Sequence, residues 1–117
     1  MSQIFIKKTR HKGRGVFSKQ TIKKGKLIEV CEILIVDSKE IGSFLERYVF
    51  EFNKSKVALA LGFGSLYNHQ DNPNARCELD TKKMKLYFYS IKEILPSEEI
   101  TIDYGYSESD KLRFGLS

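Results

Sequence analysis

The chain has 117 residues, 41% of them hydrophobic, with two cysteines, two histidines and a formal net charge of +5. That length fits one domain, residues 1–117, with a modest core. Two cysteines are too few for a disulfide framework, and with only two histidines beside them they argue against a structural zinc site, so no metal is expected. No apolar run approaches the ~20 residues of a membrane span, and Lys7 and Lys8 come too early for a signal peptide. The expectation is a soluble intracellular protein with no membrane partner.

In chain order, Ile4 to Lys8 alternate as a short strand does. A loop follows at Gly13–Gly15, and Val16, Phe17 and Ser18 return to strand. Gly25 turns the chain between Lys24 and Lys26, because glycine accepts the positive φ of a tight turn. Leu27 to Val36 is rich in β-branched residues. Its first half alternates, and its second half is apolar enough to predict burial on both faces. Ser38 to Glu46 has helical spacing weakened by Gly42, with Ser38 as a cap. Tyr48 to Phe52 and Val57 to Leu61 read as strands around Asn53-Lys54-Ser55-Lys56. Gly62 to Ser65 is a bend. Ala75 to Asp80 and Met84 to Ile91 form a hairpin around Thr81-Lys82-Lys83. Pro96-Ser97 breaks the chain, and Glu99 to Tyr104 is a last strand. The expected fold is mostly β, with many short strands and little helix. No internal repeat or linker is visible.

Three segments carry candidate chemistry. The first is Asn68-His69, in a polar turn closed by Pro73-Asn74. An Asn–His pair locks loops through backbone hydrogen bonds as readily as it binds an adenine edge or an amine. The second is Gly13-Arg14-Gly15. Glycines flanking one residue let the backbone approach a ligand, and they also suit a hairpin turn. The third is Asp103-Tyr104-Gly105-Tyr106, where tyrosines leave the last strand toward either a core or an aromatic channel. Glu98 and Glu99 are adjacent on a strand and face opposite sides, which argues against a shared acid–base pair. There is no nucleophile elbow, no HExxH and no phosphate-binding loop.

Taken together, these segments resemble those of SET-domain protein-lysine methyltransferases, in particular the small stand-alone forms. Lys12-Gly13-Arg14-Gly15-Val16-Phe17 is similar to the family's N-terminal glycine motif. Leu61 to His69 followed by Asn72-Pro73-Asn74-Ala75-Arg76 is similar to its central Asn-His motif. Ser97 to Gly105 is similar to the C-terminal motif that carries the catalytic tyrosine. The resemblance covers nearly the whole chain in the family's order. It implies a β-clip of several small sheets, with a C-terminal pseudoknot threaded under the loop around Asn68 and His69. It implies S-adenosyl-L-methionine as methyl donor and a lysine-containing protein, a histone tail or another basic protein, as substrate. By position, the backbone of Gly13, Arg14 and Gly15 lies against the donor's methionine part, Asn68 and His69 hold its amino group and adenine, and Tyr104 is catalytic. Tyr48 and Tyr106 line the lysine channel. Gln70 stands where the family usually has serine, and no C-terminal cysteines supply the zinc-binding segment that closes the channel in many relatives. Phe114 or a second subunit of a homodimer is then the expected cover.

A second reading stays open. The basic run from Lys7 to Arg14, Lys23, Lys24 and Lys26, and the strand aromatics Tyr87, Phe88 and Tyr89 suit a nucleic-acid-binding β-barrel without catalysis. The methyltransferase reading does not require nucleic acid, and a charge run is also what a solvated surface presents. Against the barrel, Tyr87 and Tyr89 share one strand face while Phe88 takes the other, and the Asn68 and Tyr104 segments go unexplained.

Overall fold

A computed structural model of the chain describes residues 3–46 and 48–103. Within them two sheets share one core. β1 (Ile4–Lys8) and β2 (Arg14–Ser18) form a hairpin, with Ile4 opposite Ser18 and Lys8 opposite Arg14. β2 then pairs with β9 (Glu99–Ile102), and β9 pairs in parallel with the two-residue β6 (Asn68–His69), giving the order β1-β2-β9-β6. The second sheet has the order β4-β5-β3-β8-β7, built from β3 (Leu27–Asp37), β4 (Val49–Glu51), β5 (Lys56–Ala60), β7 (Ala75–Asp80) and β8 (Lys85–Ser90).

The long strand β3 explains the curl of this sheet. Its first half pairs with β8 and its second half with β5, on the opposite edge. Near its start the register skips Ile28, since Leu27 faces Tyr89 and Glu29 faces Phe88. Such a bulge adds a residue, bends the strand and increases its twist. It also resets the alternation, so Glu29, Cys31 and Ile33 look inward with Leu86 and Phe88 while Leu27 and Val30 look outward. The second half is not buried on both faces as its composition suggested. Leu34 is 51% exposed, and Ile35 and Val36 are only half-buried. Apolar composition sets what a strand tolerates, but burial needs a covering layer, and this outer face has none among the described residues.

The turns follow local side-chain chemistry. Asn53 Oδ1 accepts from the amides of Ser55 (3.0 Å) and Lys56 (2.9 Å) and closes the β4–β5 hairpin. Asp80 Oδ1 does the same for Lys82 and Lys83, at 3.0 Å each, between β7 and β8. Both are Asx turns, in which a short carboxylate or amide imitates a backbone carbonyl. Between β3 and β4 lie a 3-10 turn (Ser38–Glu40) and the single-turn α1 (Gly42–Leu45). Asp37 rather than Ser38 holds the cap position of the 3-10 turn, with no side-chain cap bond. No helix among the described residues is long and apolar enough to cross a membrane.

The core is centred on Phe88, fully buried on β8. Its ring stacks on Tyr67 at 4.2 Å between centroids and meets Phe50 edge-on at 6.4 Å. Val16, Ile100 and Ile102 continue the same cluster into the other sheet and Ile94 joins it from the Ile22–Ile94 bridge, all four 0% exposed. Removing the Phe88 ring leaves a cavity between sheets that cannot collapse onto it. Phe88→Ala is expected to lose about 3–5 kcal/mol of stability, measured by urea denaturation. A loss under about 1 kcal/mol would contradict the packing described.

Candidate active site

The site is built around β9. Ile100, Thr101 and Ile102 are buried, so each backbone group of this strand needs a partner within the protein. On one side β2 supplies the ladder, with Val16 opposite Ile100 and Phe17 opposite Glu99. On the other side Asn68 and His69 run parallel to Thr101 and Ile102, and the Gln70 amide donates to the Ile102 carbonyl at 2.9 Å. Asn74 completes that edge with its side chain. Its Nδ2 donates to the Glu99 carbonyl and its Oδ1 accepts from the Thr101 amide, both at 2.8 Å. A side-chain amide carries one donor and one acceptor in the spacing of a peptide group, so Asn74 extends the ladder where the backbone has already turned away at Pro73.

This clamp brings the N-terminal glycines to the central motif. Asn68 Nδ2 donates to the Arg14 carbonyl at 3.2 Å and to Glu99 Oε2 at 2.7 Å. Gly15 lies beneath both. A Cβ at that position would stand 2.5 Å from Glu99 Oε2 and 2.8 Å from Asn68 Nδ2, so only glycine fits without displacing them. Gly13 is different. It has φ +70°, and nothing approaches within 4 Å of where its Cβ would be. Gly13 is therefore required by the turn, and Gly15 by the close approach of two polar side chains. The loop is fastened from outside by Lys12, whose Nζ donates to the His69 carbonyl at 2.7 Å. The His69 ring is buried between carboxylates, with Nε2 2.8 Å from Asp71 Oδ1 and Nδ1 3.7 Å from Asp103 Oδ1.

A second cluster fixes the approach to Asn68. The 3-10 turn Gly64–Leu66 leads into Tyr67, which is 1% exposed. The Tyr67 hydroxyl donates to Glu29 Oε1 at 2.7 Å, and the Phe63 amide donates to Glu29 Oε2 at 3.0 Å. Burial first, then the Glu29 charge, pushes the Tyr67 phenol upward, so it stays a hydrogen-bond donor. The same two causes, in the same order, push the Cys31 thiol from 9.0 to about 12.

Of the residues read from the sequence, the structure thus brings Arg14, Gly15, Asn68 and His69 together, with Gly13 at the turn. Tyr48 precedes β4 in the other sheet, half in solvent, with its ring 5.9 Å from that of Phe44. Tyr104, Tyr106 and Phe114 lie outside the described residues. The sequence reading did not single out Glu99, Lys12, Glu29 or Tyr67. Strand alternation marked Glu99 as facing away from Glu98, but not what it faces. Glu98 instead closes a turn by accepting from the Leu95 amide at 2.8 Å.

The SET domain family model matches residues 13–105, most of the chain. The chain belongs to the SET-domain family. It is similar to the histone-lysine N-methyltransferase of Schizosaccharomyces pombe specific for H3 lysine-37, with 34% identity over 89% of this chain and 74% of that protein. It is also similar to the histone-lysine N-methyltransferase Set2 of Drosophila melanogaster, with 31% identity over 92% of this chain but only 5% of that much longer protein. In three dimensions it is similar to the crystal structure of a Plasmodium falciparum candidate histone methyltransferase, with TM-score 0.80 and 36% identity over 93% of this chain and 98% of that one. KRYPTONITE, solved with mCHG DNA and SAH, shares the fold at TM-score 0.71 and 21% identity, over 90% of this chain and 24% of that one. The protein is a SET-domain protein-lysine methyltransferase.

Two outcomes test this geometry. In this SET domain Gly15→Ala should destabilise by about 1–3 kcal/mol, because the new methyl displaces Glu99 and Asn68. Gly13→Ala should cost about 1 kcal/mol, from the left-handed backbone alone. Thermal melts that ranked the two the other way would contradict the packing. Cys31 should resist iodoacetamide at pH 8 in the folded protein and react once it unfolds. The folded chain keeps the Cys31 proton where the unfolded chain releases it. The linked stability is therefore present in full below pH 9.0 and declines as pH rises toward about 12. Rapid native labelling at Cys31, read by peptide mass spectrometry, would contradict this.

Proposed function

We propose that this SET domain, taken as one unit from residue 1 to 117, transfers a methyl group from S-adenosyl-L-methionine to a lysine of a basic protein. The H3 tail is the first substrate to try. The observation that carries the reading is the convergence of the Arg14 carbonyl, Gly15 and Asn68 on β9. These residue types fit the donor, since carbonyl, amide and carboxylate oxygens accept from an ammonium group, and the open space beside Gly13 leaves the backbone accessible to a ligand. The fungal relative specific for H3 lysine-37 supports the choice of substrate.

In this reading the backbone of Gly13, Arg14 and Gly15 holds the donor's methionine part, and Asn68 and His69 hold its amino group and adenine. When bound, the donor supplies an electrophilic methyl on a sulfonium. The work left to the protein is to align a lysine amine that has lost its proton, and to keep water away. Tyr104 orients that amine through its hydroxyl. Tyr48 and Tyr106 wall the channel, where aromatic faces also suit the cationic product. The nucleic-acid reading gains nothing from the sheet aromatics. Tyr87 and Tyr89 stack on each other at 6.3 Å, and Arg76 lies over the Tyr89 ring at 4.6 Å, so a ring face that base stacking would use is already covered.

The test is incubation with radiolabelled donor and a panel of histones, with the label located by mass spectrometry. Label should appear on lysine. Tyr104→Phe should lower the transfer rate about a hundredfold or more while leaving affinity for S-adenosylhomocysteine within about twofold. An unchanged rate would remove Tyr104 from catalysis. Absence of both labelling and cofactor binding would remove the reading itself.

A further inference from the structure

Glu99 is a half-buried carboxylate at the centre of the site, and nothing described so far uses its charge. Its Oε2 accepts from Asn68 Nδ2 at 2.7 Å and lies against Gly15, close to the Arg14 carbonyl that receives the other Asn68 hydrogen. Among the described residues no Lys, Arg or His forms an ion pair with it. One amide hydrogen satisfies only part of a carboxylate, which offers about four lone-pair sites. The groups nearest to it, the Asn68 amide and the Arg14 carbonyl, add a further acceptor and no ion-pair partner. A cluster of a carboxylate, a backbone carbonyl and an amide is short of a cation, and a half-buried carboxylate gains from one that arrives.

We infer that Glu99 is the counter-ion for the α-ammonium of the methyl donor, and so a cofactor-binding residue in its own right. This rests on the reading of the site as one for S-adenosylmethionine. An ammonium group has three hydrogens to place and a charge to compensate. Neutral carbonyls accept the hydrogens but leave the charge uncompensated. The hairpin beside the site is itself basic, with Lys7 and Lys8 at the end of β1, Arg10 and Lys12 in the turn and Arg14 at the start of β2. In that positive field an incoming ammonium is repelled unless a carboxylate stands at the contact point. Glu99 is the carboxylate that the β2–β9 pairing brings to Gly15.

The experiment compares two ligands by calorimetry: S-adenosylhomocysteine, and its analogue with hydrogen in place of the α-amino group. Wild type should prefer the amine-bearing ligand by about tenfold to a hundredfold, the worth of one charge-assisted contact. Glu99→Gln keeps an oxygen for Asn68 and should fold, as a melt would confirm. It should narrow the preference to about threefold or less by weakening only the amine-bearing ligand. A preference of undiminished size in Glu99→Gln overturns the inference. So does equal affinity of the two ligands for wild type, a comparison that needs no variant. In either case the cofactor reading stands, because S-adenosylhomocysteine still binds. If wild type binds neither ligand, both readings fall together.

Discussion

The structure depends on one strand having a partner on each side. β9 is buried along Ile100, Thr101 and Ile102, and a buried strand with an unpaired edge would leave donors and acceptors without water. β2 satisfies one edge. The other is satisfied by two residues of β6, the Gln70 amide and the side chain of Asn74. That second edge is a patchwork because the chain between His69 and Ala75 turns too sharply to remain a strand. The residues of greatest interest therefore sit where the backbone alone cannot complete the ladder, and their polar side chains are held in place by completing it.

This has a consequence for how the site forms. Val16 meets Ile100 and Asn68 meets Thr101 across long stretches of chain, so no local segment can pre-form the cluster. Loop closure must come before these contacts, and they gain stability only once the second sheet is packed. The site residues are thus coupled to the global fold. In the proposed reading, substitutions at Asn68 or His69 are expected to alter stability and donor binding together, whereas Glu99→Gln separates charge from hydrogen bonding.

Much of the fold was legible from local chemistry. The turns at Asn53 and Asp80, the hairpin of β7 and β8, and the alternation of Tyr87, Phe88 and Tyr89 all follow from short-range rules. Leu34 was not legible, because an apolar run does not reveal whether a second layer covers it. In the site, the motif residues were visible as types at fixed spacing, and the structure brings Arg14, Gly15, Asn68 and His69 together. Glu99 was hidden for the opposite reason. Alternation gave its face, but its neighbours Gly15 and Asn68 come from distant segments. The Glu29–Tyr67 contact was hidden in the same way, and the bulge at Ile28 shifted the phase that would have placed Glu29.

Tyr67 shows how the two sheets are set relative to the site. Its ring stacks on Phe88 of the second sheet, and its hydroxyl is held by Glu29 of β3 in that same sheet. The next residue, Asn68, begins the parallel pairing with β9 in the first sheet. A tyrosine fixed at both ring and hydroxyl has little freedom left, so the position of Asn68 is set by how the sheets pack and not by the loop alone. Phenylalanine at position 67 would keep the stacking and leave a Glu29 oxygen without its donor in the core. The Phe63 amide would still hold the other oxygen. The aromatic contact therefore positions the strand, and the hydrogen bond fixes the rotation of the turn that delivers Asn68 to Gly15.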